Sequence, residues 1–300
     1  MQSILATKVM MVRPRSFRSN EETAATNAFQ ASTGQTITES AQRAREEFES
    51  LRQQLMARGI QVTVYDEPET ANTPDALFPN NWFAILPDGD TFLFPMQAAN
   101  RQREVQPDWL APFAKGKPMI DLRNHIKTNK FLEGTGSLIL DHKTKQGYAC
   151  LSQRTNPDVI ADFSTKSGYS MVTFTAFDSG GMPFYHTNVM MALGTNTAIL
   201  CSESIKDPAE RAKALAALGR SGKKVIEITL DQVSNFCGNL LQLKSLDGQR
   251  YWVCSERAFN AFTPAQRAEL EKDAKFICAP LPTIETLGGG SARCMLGEIY

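Results

Sequence analysis

Short apolar runs separated by turn residues recur at a nearly constant interval along the chain. Four pairs of such runs predict β-hairpins: WFAILPDGDTFLF, SLILDHKTKQGYACLS, VMMALGTNTAILCS and LLQLKSLDGQRYWVCS. Asp-Gly pairs and the Gly and Asn of GTNT are residues that tight hairpin turns favour. The hairpins begin at Asn81, Gly136, Asn188, Asn239 and Ser291, at spacings of 55, 52, 51 and 52 residues. Such a fixed period indicates a ring or array of similar units, because one unit cannot bury its own apolar face.

A helix and a further β-rich segment are predicted after each hairpin. Residues 40–58 form an amphipathic pattern with one apolar face, made of Ala41, Ala44, Phe48, Leu51 and Leu55. Asp207 and Thr263 are predicted N-caps, because each precedes a Pro and is followed three positions later by a capping-box Glu or Gln. Helices are also predicted over about 106–115 and 157–167. The β-rich segments are IQVTVY, PMIDL, YSMVTFTAF, KVIEITL and KFICAPL.

The fifth unit is split between the two ends of the chain. CMLGEIY supplies one strand only, and the segment KVMMVRP, residues 8–14, is expected to supply the second. The termini would then close the ring and leave no open sheet edge. We therefore predict an α/β fold of five ββαβ units around a central site, in a single catalytic domain over residues 1–300. In such a ring the polar loops that precede the hairpins converge on the axis.

The charge and hydropathy of the chain limit the kinds of partner that the protein is expected to bind. Lys and Arg together number 32, as do Asp and Glu, so no net field attracts nucleic acid or an anionic membrane. The chain has no 18-residue apolar run and no charged region before its first apolar stretch. We expect a cytoplasmic protein that acts on a small molecule and has no nucleic-acid or membrane partner. The sequence does not decide whether the protein assembles into a homo-oligomer.

The six cysteines are expected to be free thiols, since no signal peptide precedes them. Cys150, Cys201 and Cys254 recur at one point of three successive repeats, which predicts core packing, and Cys278 is interpreted in the same way. Cys237 precedes the fourth polar loop and is expected to be structural, at the border of a site. No CxxC or HxxxH spacing occurs, so we expect no metal.

Cys294 differs from the other cysteines because it follows the flexible run GGGSAR and begins a hairpin. A thiolate nucleophile needs a general acid/base and a group that orients this base. His186 and Glu133 are the only His and Glu at equivalent loop positions of the repeats. His125 and His142 are expected at the surface. The sequence thus predicts a Cys-His-Glu site.

Five motifs carry a family resemblance: in chain order, PDALFPNNW, LEGTGS, LSQRT, YHTNV and GGGSARCM. They resemble the guanidino-group-modifying superfamily, the penteins, which includes arginine deiminase, dimethylarginine dimethylaminohydrolase and the amidinotransferases. NEETAATNAFQ, PNNW and LPTIETLGGGSARCM are most similar to the branch named citrulline-utilization hydrolase. The resemblance spans residues 8–299 and implies a five-bladed α/β propeller, the architecture that the repeat also predicts.

The resemblance implies roles for four loop residues. Cys294 would be the nucleophile and His186 the acid/base. Glu133 would hold the imidazole and the substrate nitrogens, and Asp75 would be a further substrate clamp.

The resemblance also implies an arginine that binds the substrate carboxylate. Arg154, in a Ser-x-Arg-Thr context, fits this role because a planar guanidinium binds carboxylate through two parallel hydrogen bonds. The alternative for Arg154 is a solvated strand end. Arg293, next to the nucleophile, is a second candidate for contact with an anion.

Two positions depart from the pattern of the guanidinium enzymes. Deiminases and amidinotransferases have Asp where Asn188 stands, and deiminases and dimethylargininases have Asp where Asn81 stands. Carboxylates suit a guanidinium, which is a cation with only donors, whereas an amide both donates and accepts. The Asn pair therefore favours an uncharged ureido substrate such as citrulline.

The predicted reaction is hydrolysis of a ureido amino acid, from citrulline to ornithine, ammonia and carbon dioxide, through a covalent intermediate on Cys294 and without a cofactor. Backbone amides of the GGGSAR loop are expected to stabilise the oxyanion. Alternatives are hydrolysis of a guanidinium substrate, as by arginine deiminase or dimethylarginine dimethylaminohydrolase, and amidino transfer. A papain-like protease and a non-catalytic pentein binding factor are further alternatives.

Overall fold

The chain folds into a set of small, similar sheets. A computed structural model describes residues 4–31, 34, 36–69 and 71–300. Within this part of the chain, 15 strands form five three-stranded sheets. The strands are β1 (Lys8–Arg13), β2 (Gln61–Asp66), β3 (Phe83–Ile85), β4 (Thr91–Leu93), β5 (Ile120–Asp121), β6 (Ile139–Asp141), β7 (Gln146–Cys150), β8 (Ser170–Phe174), β9 (Met191–Leu193), β10 (Thr197–Leu200), β11 (Lys224–Glu227), β12 (Leu241–Lys244), β13 (Arg250–Ser255), β14 (Lys275–Ala279) and β15 (Gly297–Ile299).

Helices cover much of the connections between these strands. The α-helices are α1 (Glu21–Ala24), α2 (Ile37–Ala57), α3 (Ala99–Gln102), α4 (Pro107–Leu110), α5 (Gly134–Ser137), α6 (Pro157–Ser167), α7 (Pro208–Arg220), α8 (Leu230–Ser234), α9 (Glu256–Ala261), α10 (Pro264–Glu271) and α11 (Pro282–Gly288). Among these residues, no helix is long and apolar enough to cross a membrane.

Every sheet has the same topology. The second strand of each hairpin lies in the middle, antiparallel to the first strand and parallel to a third strand that follows a helical connection. In the sheet of β6, β7 and β8, Tyr148 pairs with Ile139 on one side and Val172 on the other. A parallel neighbour needs such a crossover connection, whereas an antiparallel one needs only a turn. The predicted ββαβ repeat and fold class are confirmed.

The chain ends meet in one sheet, as predicted. β1 pairs antiparallel with β15 and parallel with β2, with Lys8 opposite both Ile299 and Gln61. The expectation that closure removes every open edge is wrong, however, because the five sheets are separate and each keeps two edge strands. The first strands of neighbouring sheets lie side by side, with β15 next to β3 and β9 next to β6 and β12. Packing between these first strands joins the sheets, and the Lys244 backbone N–H adds a hydrogen bond to the Ala6 carbonyl, just before β1.

The helix predictions hold with adjusted bounds. α2 begins at Ile37, after an N-cap at Thr36 that forms a full capping box with Glu39, and its buried face includes four of the predicted residues while Ala41 is half-buried. α6 matches its prediction, and the helix expected over 106–115 is α4 followed by a short 3₁₀ turn at Ala111–Phe113.

One predicted cap works differently from expected. α7 and α10 begin at Pro208 and Pro264, after their N-caps, and Thr263 forms a full capping box. The carboxylate of Glu210, the expected capping-box partner in α7, instead accepts hydrogen bonds from the backbone N and Oγ1 of Thr175. Glu210 thus fastens the helix to the segment after β8.

The cysteine predictions are confirmed for most positions. All six are free thiols. Cys150, Cys201 and Cys254 are fully buried in the core, and burial raises the pKa of Cys150 to about 12 and that of Cys201 to about 11. Cys237 is buried as well, whereas Cys278 is half-buried and its sulfur lies 3.8 Å from that of Cys254.

Removal of residues 1–14 should cause aggregation, because β15 and β2 would both lose the central strand of their sheet. Removal of residues 1–5 is the matched control, since it spares the Ala6 carbonyl, which accepts from the Lys244 backbone, and all of β1. Size-exclusion chromatography and thermal melting compare the two. A soluble 1–14 deletion with unchanged melting would contradict ring closure by β1.

Candidate active site

Four short turns meet where the first strands of the sheets begin. The 3₁₀ turns Pro79–Asn81, Thr187–Val189 and Ala292–Met295 pack with α5 around the ring axis. The packing is tightest at Gly136, where an added Cβ would collide with Asn81 Nδ2 and lie 2.8 Å from His186 Nδ1. The polar loops that precede the hairpins therefore meet at the ring axis, as predicted.

Glu133 and His186 form a buried hydrogen-bonded pair. His186 Nε2 lies 2.7 Å from Glu133 Oε2, and Glu133 Oε1 accepts from the backbone N of Gln97 at 2.9 Å. Burial opposes ionisation of Glu133, but the charge of Arg154 and the bond from His186 lower its pKa to about 2. An ionised carboxylate only accepts, so His186 Nε2 carries the proton and Nδ1 is left unprotonated. Burial, partly offset by Glu133, lowers the pKa of His186.

The Cys294 sulfur lies between two amide groups. Asn188 Nδ2 is 3.5 Å and Asn239 Nδ2 is 3.3 Å from Sγ. Asn239 is held in this orientation because its Oδ1 accepts from the Arg293 backbone N at 3.1 Å. Two N–H donors directed at one sulfur stabilise negative charge on it. In the described part of the chain, no hydrogen bond joins this sulfur to His186.

Asn239 is a site residue that the sequence motifs did not predict. A signal was present, because Asn239 begins the fourth hairpin at the position that Asn81 and Asn188 occupy in theirs. What the repeat does not reveal is which of these amides faces the sulfur.

Asp75 is a buried carboxylate with one unused oxygen. Its Oδ2 accepts from Asn20 Nδ2 at 2.7 Å and lies 3.9 Å from Arg101 Nε. Burial raises the pKa of Asp75, against the opposing charge of Arg101. Oδ1 has no hydrogen-bond partner among the described residues.

Further polar atoms of these loops are buried and unpaired. Native proteins pair nearly all buried polar groups, so a concentration of unpaired ones marks the place where a polar ligand binds. Besides Asp75 Oδ1, the unpaired atoms of the converging loops and of Arg154 are Asn80 Oδ1 and Nδ2, Asn81 Nδ2, Asn188 Oδ1 and Arg154 Nε.

The two candidate arginines are placed very differently. The side chain of Arg154 is only 3% exposed and lies 3.6 Å from Glu133 Oε2, which rules out a solvated strand end. It also donates to the Thr23 carbonyl and to Thr26 Oγ1 and stacks over the ring of Tyr185 at 4.9 Å.

Arg293 points elsewhere. Its guanidinium donates to the Leu296 carbonyl at 2.8 Å and to Glu298 Oε2 at 2.7 Å. An intramolecular ion pair therefore engages Arg293, and contact with a substrate anion would have to displace it.

Two backbone amides at the end of the GGGSARC segment are already engaged within the protein. The backbone N–H groups of Arg293 and Cys294 are already bonded, to Asn239 Oδ1 and to the Ser291 carbonyl, so neither is free to hold an oxyanion. Instead, a Cβ at Gly290 would lie 2.8 Å from the ring of Phe78. The run lets the chain pack closely against that ring.

Residues 20–31 cover the site. Asn20 and Thr23 contact Asp75, Thr26 contacts Arg154, and Asn27 donates to the Gly288 carbonyl at 3.2 Å. This segment shields the buried charges from water.

Arg101 and Glu104 are buried at the site and were not predicted. Arg101 donates to both oxygens of Glu104, at 3.0 and 2.9 Å, and to Asn81 Oδ1 at 2.8 Å. Burial opposes both charges and raises the pKa of Glu104 to about 8, whereas the two bonds from Arg101 favour its ionised form, and Glu104 in turn raises the pKa of Arg101 above the usual value. An Arg and a Glu three residues apart are common on exposed helices, so the sequence held no signal that distinguished this pair.

The other two histidines are less exposed than predicted. His125 is half-buried and its Nε2 lies 2.9 Å from Asp162 Oδ2. His142 is half-buried as well, with Nδ1 2.6 Å from the Tyr169 hydroxyl, and burial lowers its pKa.

Comparison with known proteins agrees with this fold and site. Residues 13–300 match the family described as N,N dimethylarginine dimethylhydrolase, eukaryotic, and the chain belongs to that family. Membership confirms the resemblance to the guanidino-modifying superfamily. A search of curated proteins finds no relative that matches.

Solved structures of this superfamily share the fold. ArgZ, an arginine dihydrolase from the ornithine–ammonia cycle in cyanobacteria, has a TM-score of 0.76 at 16% identity, over 98% of this chain and 40% of ArgZ. The chain thus spans less than half of that protein. The N-terminal domain of ArgZ, covalently bound to a reaction intermediate, matches over 97% of its own length with a TM-score of 0.75 at 16% identity. A dimethylarginine dimethylaminohydrolase adduct with S-methyl-L-thiocitrulline has a TM-score of 0.65 at 13% identity, over 99% of this chain and 100% of that one.

Limiting iodoacetamide should abolish turnover in step with labelling of Cys294, and Cys294→Ser should be inactive but folded. The half-buried Cys278 is the main competitor for the reagent, so Cys278→Ser is the matched control and should be inactivated at the wild-type rate. Peptide mass spectrometry and activity are followed together. Loss of activity that tracks another cysteine would contradict the assignment.

Acid should destabilise the protein through the Glu133–His186 pair. A carboxyl whose pKa falls from 4.5 to about 2 contributes about 3 kcal/mol to folding above pH 4.5 and loses it as the pH falls towards 2. His186, with a pKa below 6.5, likewise loses its contribution as the pH falls below 6.5. Urea unfolding of wild type and Glu133→Gln should therefore differ most near pH 7, with a gap that narrows as the pH falls below 4.5 and closes near pH 2. Glu271→Gln, at an exposed position, is the control. A gap independent of pH would show that Glu133 is not ionised in the native state.

Proposed function

We propose that the protein hydrolyses a ureido amino acid, with citrulline as the simplest substrate and ornithine, ammonia and carbon dioxide as products. The observation that carries this proposal is the orientation of the Asn81 amide. Cys294, His186 and Glu133 perform the reaction, and Asp75, Asn81, Asn188 and Arg154 bind the substrate.

The orientation of Asn81 follows from its neighbour. A guanidinium has only donors, so the amide atom that faces Arg101 must be the oxygen. The NH₂ group of Asn81 is then directed the other way, towards Gly136, and it has no partner among the described residues. Asn81 thus offers a hydrogen-bond donor to the substrate.

Asn188 offers the opposite group. Its Nδ2 is directed at the Cys294 sulfur, which leaves Oδ1 as an unpaired acceptor. The sequence suggested that both Asn residues donate to the substrate. With Asn81 as the donor and Asn188 as the acceptor, the two are complementary instead.

A ureido group fits this combination. Its oxygen accepts from Asn81 Nδ2, and its N–H groups donate to Asn188 Oδ1, Asp75 Oδ1 and Glu133. A guanidinium has only donors, so it would leave the Asn81 donor opposed by a donor. An unsatisfied buried polar group costs about 1–3 kcal/mol.

In the proposed mechanism, Cys294 Sγ attacks the ureido carbon, and negative charge develops on the oxygen that Asn81 binds. His186 carries the proton from the thiol to the departing amine, which leaves as ornithine. An S-carbamoyl intermediate remains on Cys294. His186 then deprotonates a water that attacks the same carbon and releases carbamate, which decomposes to ammonia and carbon dioxide.

Arg154 is proposed to bind the α-carboxylate of the substrate. Its Nε has no partner and its Nη1 is 3.6 Å from the nearest oxygen of Glu133, so part of its planar fork is available. Its stacking on Tyr185 fixes the plane of the guanidinium.

Hydrolysis of a guanidinium substrate, such as arginine or a methylated arginine, is the second candidate function. The family name and the arginine dihydrolase fold favour it, and so do two carboxylates at the site. Glu133 is ionised and Asp75 has an unused oxygen, which together provide a counter-charge for a cation.

Substitution Asn81→Asp should lower kcat/KM for citrulline and raise the ratio of arginine to citrulline turnover by about tenfold or more. The reason is that the carboxylate replaces the donor to the ureido oxygen with an acceptor for a guanidinium N–H. Asn188→Asp should instead slow both substrates, because it removes a donor to the sulfur and adds a like charge. Steady-state assays measure kcat/KM for citrulline and for arginine in the wild type and in both variants.

The matched control is Asn156→Asp, the same change at the N-cap of α6, which should leave the ratio unaltered because both residues cap helices well. A wild type that prefers arginine, or an Asn81→Asp variant that changes both substrates in parallel, would contradict the ureido proposal.

A further inference from the structure

Cys254 and Cys278 form a pair of thiols that the proposed reaction does not use. They occupy opposite positions on the neighbouring parallel strands β13 and β14. Their sulfurs lie 3.8 Å apart, so the S–H of one donates to the other. Both are free thiols in this structure. Such a contact is either core packing or the reduced form of a redox pair.

The equivalent cysteine of another repeat shows what core packing alone looks like. Cys150 is also fully buried on the central strand of its sheet, and the residue opposite it on the parallel neighbour β8 is Phe174. A phenylalanine is a typical core neighbour and has no reactive group. In the sheet of β12, β13 and β14, Cys278 stands at that place. Packing therefore explains a cysteine on the central strand but does not require a second one opposite it.

The pairing of the strands brings the backbone into the range that a disulfide requires. A disulfide needs Cα atoms about 4.4–6.8 Å apart, and neighbouring strands of a sheet lie about 4.7–4.9 Å apart. Side chains at paired positions of parallel strands point to the same face of the sheet. Rotation of the two side chains can therefore bring the sulfurs of Cys254 and Cys278 from 3.8 Å to the bonding distance of about 2.0 Å.

The two thiols differ in access and in acidity. Cys278 is half-buried, whereas Cys254 is fully buried. The S–H of Cys254 donates to the sulfur of Cys278 and lowers the pKa of Cys278, while this contact and burial raise the pKa of Cys254. The thiolate is the form that peroxides oxidise, so Cys278 is the member of the pair that reacts first. Cys254 is shielded from solvent but lies next to the sulfur that has reacted.

We propose that Cys278 and Cys254 are a reversible redox pair, in which hydrogen peroxide oxidises Cys278 and Cys254 then forms a disulfide with it that joins β14 to β13 and leaves the active site unchanged. A sulfenic acid without a second thiol nearby is oxidised further to sulfinic acid, which is not reversible by thiols. Cys254 would protect the half-buried Cys278 from that loss.

The two steps balance as follows. The thiolate of Cys278 attacks one oxygen of the peroxide, the O–O bond breaks, and the hydroxide that leaves takes up the thiol proton to give water. The sulfur of Cys254 then attacks the sulfenic sulfur of Cys278, the S–O bond breaks, and a second water leaves with the proton of Cys254. Two electrons have passed from the two thiols to the peroxide. A thiol reductant such as dithiothreitol returns both residues to thiols.

The pair lies on the face of its sheet that points away from Cys294. Successive residues of a strand point to opposite faces. Val253 and Ile277 precede the two cysteines and pack in the same apolar cluster as Cys294, whereas Cys254 belongs to a different cluster. A bond between the two sulfurs therefore leaves the turn that carries Cys294 in place.

Peptide mapping tests the proposal, because trypsin places these cysteines in separate peptides. Cys254 lies in YWVCSER, Cys278 in FICAPLPTIETLGGGSAR and Cys294 in CMLGEIY. Folded Cys294→Ser protein is treated with hydrogen peroxide, alkylated and digested without reductant. We expect the first two peptides to be joined, lighter by two hydrogen atoms than their sum, and to separate in dithiothreitol. The protein should stay monomeric on non-reducing electrophoresis. Unjoined peptides with Cys278 as a sulfinic acid, or a dimer linked through Cys278, would overturn the proposal.

Removal of the buried thiol provides a second measurement. In Cys254→Ala, Cys278 should accumulate severalfold more sulfenic acid, trapped by dimedone, and more sulfinic acid than in wild type. Cys150→Ala is the matched control, since it removes an equally buried thiol opposite Phe174, and it should behave like wild type. Thermal melting reports whether each variant is folded, and the mapping above decides if one is not. Equal trapping in wild type and Cys254→Ala would contradict the role of Cys254.

Activity measurements separate this pair from the nucleophile. Wild-type protein is oxidised to increasing extents, and its residual turnover is compared with the amount of the joined peptide and of intact Cys294. Turnover should follow intact Cys294 alone. Citrulline and arginine are both assayed, so the comparison holds for whichever substrate the protein uses. Turnover that falls as the joined peptide forms, while Cys294 stays intact, would overturn the claim that the disulfide leaves the active site unchanged.

Discussion

The structure depends on one constraint: the acidic and basic side chains in its buried site must compensate one another's charge. Glu133, Asp75 and Glu104 are buried together with Arg101 and Arg154 near the axis of the ring. A buried charge without a partner is far more costly than one hydrogen bond, so each of these groups fixes the position of another. The low pKa of Glu133 keeps the proton of the pair on His186, and the donors of Arg101 turn the amide of Asn81. In the proposed function, reactivity and substrate choice follow from the same network.

The ring explains why such a network can be built from short loops. Each loop enters the first strand of a sheet, and those strands are held in place by a central strand with partners on both sides. The proposed catalytic groups precede strands of different sheets and are consequently positioned by rigid elements, although they lie far apart in the sequence, as do Glu133 and Cys294. Residues 20–31 then cover the site and exclude the water that would weaken these electrostatic interactions.

The sequence predicts the parts of this arrangement that are local and repeated. Hairpins, helix caps and the period are encoded in short stretches, so the five units and the meeting of β1 with β15 could be inferred, as could the loops that carry Cys294, His186 and Glu133. The orientation of a side chain within a loop is decided by non-local partners. Arg293 could not be seen to pair with Glu298, nor Glu210 with Thr175, and the opposite orientations of Asn81 and Asn188 depend on Arg101 and on the Cys294 sulfur. Identical residues at equivalent repeat positions thus take different roles.

The most direct test of the central claim uses citrulline labelled with carbon-13 at the ureido carbon. Wild-type protein should release labelled carbon dioxide and ornithine in equal amounts, with a higher kcat/KM than it shows for arginine or dimethylarginine, and Cys294→Ser should release neither. Absence of ornithine from citrulline, together with accumulation of citrulline from arginine or dimethylarginine, would show that the site acts on the guanidinium alone and would contradict the account given for Asn81.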